Sequence, residues 1–127
     1  LKDKTAETNT RDTMRQAIQS LAMAMEDTAE FQAFQEANLM IVKDDAVQNL
    51  LRQADVHRVA LQWGQGDEAE HMAALQHLQA SLESYASVQA YRHAEQAMKR
   101  LCRAVDTVIS ETAGVNFAAN AKRSCCG

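Results

Sequence analysis

SYASVQAYRHAEQAMKRLCRAVDTVISETAGVNF, residues 84–117, is the stretch on which the fold turns. Val88, Tyr91, Ala94, Met98, Leu101, Val105 and Val108 recur at steps of three and four, and Cys102 and Ile109 widen the stripe. Between them stand Arg92, Glu95, Lys99, Arg100, Arg103 and Asp106, which suit water. This is the pattern of an amphipathic helix. Ser84 is placed to cap its start, and Gly114 is a natural residue just past its end. A helix over Ala86–Ala113 is about 42 Å long at ~1.5 Å per residue. A compact chain of this length has a radius of gyration of roughly 14 Å and hence a diameter of about 36 Å. Such a helix overhangs its own domain, so part of its apolar stripe needs another chain.

Working outward, the composition supports helix almost everywhere. The 127 residues contain no proline and only four glycines, so the strongest breakers are nearly absent. β-branched residues never alternate over a strand's length, which excludes a sheet. The expected class is all-α: about five helices, with helical hairpins preceding the long C-terminal helix, in an oligomer-forming bundle. A single domain over residues 1–127 is expected, with a flexible N-terminus at 1–9 and a flexible, cysteine-bearing tail at 118–127.

Upstream, Leu1–Asn9 is polar and reads as a frayed end, with Thr10 as the first cap. Met14, Ile18, Leu21, Ala22 and Met25 then form one face. Thr28 reads as the next cap with Glu30 in the first turn, although no breaker separates the first two helices. Asp44-Asp45 interrupts the pattern, and Asp45 with Gln48 spells a capping box for a third helix carrying Val47, Leu50, Leu51, Ala54 and Leu61. Trp63-Gly64-Gln65-Gly66 ends it. Asp67 with Glu70 opens a fourth, whose stripe is Met72, Leu75, Leu78 and Leu82. The short link makes helices three and four an antiparallel hairpin.

Charge and motifs exclude several functions. A net charge of -4 is a poor basis for holding nucleic acid through phosphates, and the small basic face of Lys99, Arg100 and Arg103 lacks a stacking platform. Nothing reads as a signal peptide or a membrane span, apolar runs such as Leu39–Val42 being far too short. Cytoplasm is the expected location. No nucleophile elbow or phosphate loop is present, so catalysis is not expected.

The candidate ligands each have a plainer reading. Glu68 and His71 have the spacing used in di-iron bundles, but the second such pair that those bundles require is missing. His57 reads as a half-buried, hydrogen-bonded histidine. Cys102 reads as a small core residue, and Trp63 as a packing residue or, beside its glycine turn, a partner anchor. Cys125 and Cys126 lie beside Lys122 and Arg123, which favour thiolate, yet two adjacent cysteines cannot supply four ligands. A metal site there requires other chains.

Several segments together resemble the YlbF/YmcA family of small bacterial regulators: LAMAMEDTAEFQAFQEA at 21–37, KDDAVQNLL at 43–51, SVQAYRHAEQAMKRL at 87–101, VISETAGVNFA at 108–118 and the terminal SCCG. Ala46 and Ala86 stand where relatives often carry proline, a change that alanine, a good helix former, tolerates. The resemblance implies a helical, non-enzymatic, cytoplasmic protein that forms homo-oligomers or joins related family subunits. In Bacillus-like bacteria such relatives promote competence, sporulation and biofilm formation and assist messenger-RNA processing by ribonuclease Y. It also implies an association with iron–sulfur clusters, for which Cys125 and Cys126 are the matching ligands. The two functional expectations are therefore a regulatory adaptor acting through its helices and, as the alternative, a sensor with an inter-chain iron–sulfur cluster.

Overall fold

The structure, a computed structural model, describes residues 2–117. Five helices follow in order: α1 (Lys2–Glu26), α2 (Ala29–Lys43), α3 (Asp45–Gln62), α4 (Glu68–Glu83) and α5 (Ala86–Ala113). No strand occurs among the described residues. The all-α expectation holds, and α5 has the predicted bounds.

The helix ends show which local signals win. Thr28, extended at φ -73° and ψ 150°, accepts the Phe31 N–H through its hydroxyl and separates α1 from α2. Asp44 is the one extended residue between α2 and α3, so it, and not Asp45, is the α3 cap; its Oδ1 accepts the Val47 N–H at 3.2 Å. Asp45 becomes the first helical residue, and the Gln48 side-chain amide donates instead to Ile41 O at 2.9 Å. Asp67 caps α4 as expected, accepting from the Ala69 N–H at 2.8 Å. Gly114 ends α5 in the left-handed region at φ +68°, where the N–H groups of Gly114 and Val115 both reach Ser110 O.

Two expected caps are displaced. Ser84 does not open α5. Its backbone is helical (φ -77°, ψ -16°), it completes the last turn of α4, and its hydroxyl donates to Ser81 O; Tyr85, in the extended region, is the N-cap and makes no side-chain cap bond. Thr10 does not open α1. It lies inside the helix with Oγ1 donating to Ala6 O, and the helix runs back to Lys2, helped by a Glu7–Arg11 pair one turn apart.

Packing is concentrated in two helix pairs, α2 with α5 and α3 with α4. Asp44 at the end of α2 meets Ser87 at the start of α5, and further back along α2 the Phe34 ring lies 5.3 Å from the Tyr91 ring, centroid to centroid. These contacts make α2 antiparallel to α5. The buried apolar side chains among the described residues are Ala37, Val47, Ala54, Leu78, Val88 and Ala94, and of these Val47 alone is fully buried. Half of these are alanines, which let helices approach but contribute little buried area. The pairs join where the α2–α3 and α4–α5 turns meet, and there Glu83 of α4 forms an ion pair with Arg92 of α5 at 3.3 Å.

Candidate interaction surface

The core just described is small for the chain. The accessible surface is 10110 Å². A compact monomer of 14.1 kDa exposes about 6,700 Å². Part of the difference has identifiable sources among the described residues.

The first is α1. From Asp3 to Ala24 every residue is exposed, and only Met25 becomes half-buried where the chain approaches α2. Met14, Ile18 and Leu21 form the periodic face that the sequence places there, but the protomer leaves that face bare; Ile18 is 63% exposed. The second is the far end of α5. Along its stripe Val88 and Ala94 are buried, and Tyr91, Met98, Leu101 and Val105 are half-buried. Val108, by contrast, is 62% exposed, and Ile109 is also open to solvent. Cys102 is exposed, not core, at the edge of the stripe. Large contiguous apolar faces of this kind mark interaction surfaces.

Between the two helix pairs runs a groove of about 690 Å³, with Ile41, Leu51, Leu75 and Tyr91 on its walls and Arg58, Arg92 and Glu95 at its polar margin. Among the described residues no group of three or more His, Cys, Asp or Glu side chains could hold a metal ion. Cys125 and Cys126, the residues singled out as ligands, lie outside the described residues.

Two histidines come together in a way that neither spacing nor periodicity announces. His57 Nδ1 and His71 Nδ1 are 2.9 Å apart, and His71 Nε2 is 2.9 Å from Gln65 O. A carbonyl only accepts, so Nε2 of His71 carries the proton; neutral His71 then offers the Nδ1 lone pair, and His57 donates from Nδ1. Such a chain of hydrogen bonds fastens the end of α3 to the start of α4. His57 thus has the half-buried, bonded environment expected of it, whereas His71 serves the hairpin and not a Glu68-based site. The missed signal is the pairing of positions on two antiparallel helices across a five-residue turn. Trp63, at the end of α3, is 70% exposed, so packing is not its role.

A family model described as "Control of competence regulator ComK, YlbF/YmcA" matches residues 14–112. The chain belongs to the YlbF/YmcA family. No curated protein and no solved structure matches it. The YlbF/YmcA match begins at Met14, the first residue of the bare α1 stripe, and ends in the last turn of α5. Both uncovered faces therefore fall within the part of the chain that carries the family's character, which is that of a regulator. No helix among the described residues is long and apolar enough to cross a membrane.

Proposed function

We propose that this YlbF/YmcA protein is a non-enzymatic regulatory adaptor of the cytoplasm that works by helix-to-helix association. Its partners are other copies of itself and related family subunits. The assembly is of the kind that assists messenger-RNA processing by ribonuclease Y and supports competence, sporulation and biofilm formation. One observation carries the reading: a 14.1 kDa chain with 10110 Å² of accessible surface that leaves Met14, Ile18, Val108 and Ile109 exposed on two helix faces. Burying such faces is strongly favourable, at about 25 cal/mol per Å² of apolar area. An adaptor needs surface rather than a reaction centre, and surface is what the protomer offers.

Light scattering on the purified chain at micromolar concentration tests the physical basis. A mass of two or more chains is the expected result. A mass of one chain across that range would overturn the proposal.

A further inference from the structure

The α3–α4 link is tied to both of its helices through one residue. The Gln65 N–H donates to Ala60 O of α3 at 2.8 Å, and the Gln65 carbonyl accepts from His71 Nε2 of α4 at 2.9 Å. A Cβ at Gly66 would come within 2.9 Å of that Nε2, so the glycine makes room for the ring. From His71 the chain of bonds returns to α3, where His57 and His71 meet Nδ1 to Nδ1 at 2.9 Å with both residues half-buried.

This contact is sensitive to the number of protons on the pair. With both rings neutral, His57 donates from Nδ1 and His71 accepts. A first added proton goes to His57 Nε2, outside the contact, and the bond between the rings persists in charge-assisted form. A second has only His71 Nδ1 to go to, because His71 Nε2 already carries the proton given to Gln65 O. Two N–H groups on two cationic rings then face each other across a gap that the closed geometry sets at 2.9 Å. The charged groups nearby leave that repulsion standing. On α3, Asp55 and Arg58 flank His57 and are paired with each other at 3.1 Å. At the start of α4, Asp67 caps the helix through the Ala69 N–H, and Glu68 and Glu70 precede His71 in the first turn. Among the described residues none of these carboxylates forms an ion pair with either ring.

We propose that the His57–His71 contact is an acid-sensitive latch on the α3–α4 hairpin, closed while the two rings hold at most one added proton and open when both are cationic. Opening parts the end of α3 from the start of α4. Gln65, held by its carbonyl to His71, is drawn off Ala60 O, and the link loosens beside the exposed Trp63. The opposite end of the hairpin, fixed at the Asp44–Ser87 corner, stays closed. The open form binds one proton more than the closed form. Lowering the pH therefore favours the open form, by about tenfold per pH unit while that proton is taken up.

Amide hydrogen exchange followed by NMR on the full native chain tests this, from about pH 8 to about pH 5, where histidines change charge. Protection factors are taken relative to a free amide at each pH. Protection of the Gln65 N–H is expected to fall at least tenfold, while that of the Gln48 N–H, bonded to Asp44 O at 2.9 Å in the corner, holds within twofold. His57→Gln supplies the comparison. Its side-chain amide donates to neutral His71 Nδ1 or, flipped, accepts from the protonated one, so Gln65 is expected to stay protected within twofold over the whole range. A native chain in which Gln65 keeps its protection overturns the latch. So does one in which Gln48 loses protection in step with Gln65, since that is unfolding of the whole, and so does a His57→Gln protein that loses Gln65 protection as the native chain does. Ring-nitrogen spectra of the native chain decide without any variant. The loss of protection is expected to track the arrival of a proton on His71 Nδ1, and a proton there with Gln65 still protected overturns the proposal.

Discussion

The Ser87 hydroxyl donates a 2.8 Å hydrogen bond to Asp44 Oδ2, joining residues 43 positions apart in the chain. Ser87 is buried, and the other carboxylate oxygen of Asp44 caps α3. One side chain therefore sets the corner between α2 and α3 and anchors the start of α5 upon it. That corner is where the two helix pairs are joined. Asp44→Ala removes the cap and leaves a buried hydroxyl without its acceptor, and is expected to cost about 2–3 kcal/mol. Asp44→Asn keeps an oxygen for the cap and is expected to cost under about 1 kcal/mol. Urea denaturation at fixed protein concentration checks the order; equal losses for the two variants would refute the dual role.

Leu78 and Val108 offer a contrast between packed and bare apolar positions. Leu78 is buried in the protomer and Val108 is exposed. Leu78→Ala is expected to destabilise by about 3 kcal/mol through lost contacts and a residual cavity. Val108→Ala, measured at a concentration where the chain is dissociated, should fall within about 0.5 kcal/mol of the native protein. A large loss for Val108→Ala under those conditions would mean that the protomer itself covers the end of α5.

Gly66 and Gly114 both have positive φ, at +73° and +68°, but their surroundings differ. A Cβ at Gly114 meets nothing within 4 Å, so Gly114→Ala pays only the left-handed backbone penalty of about 1 kcal/mol. A Cβ at Gly66 would lie 2.9 Å from His71 Nε2 and push that ring off Gln65 O. Thermal unfolding should therefore place Gly66→Ala below Gly114→Ala. The reverse order would show that His71 moves without loss.

The imidazole contact fixes tautomers that can be read directly. Two-bond nitrogen–proton NMR on the neutral rings is expected to show the proton on Nε2 of His71 and on Nδ1 of His57. His71→Ala should release His57 from that preference. Finding the proton on Nδ1 of neutral His71 would contradict the hydrogen bond to Gln65 O.

Periodicity and punctuation in the sequence determined the five helices, the bounds of α5, the caps at Thr28 and Asp67, and the αL ending at Gly114. These features are set within a few residues, where side-chain spacing, backbone preference and missing breakers all act. Resemblance across several segments likewise located the family, since order and spacing survive without any fold in hand. Tertiary structure alone decided the rest. Which of Asp44 and Asp45 caps α3 depends on which residue must be extended to turn the chain and receive Ser87. Ser84 loses its place at the head of α5 because the link is too short to release it from α4. Met14, Ile18 and Val108 read as members of apolar faces from their period, and the structure shows them bare in the protomer, because periodicity says that a face is apolar and not what covers it. Covering a face depends on where another helix runs, and in this protomer α2 stops short of the end of α5 while α1 turns away.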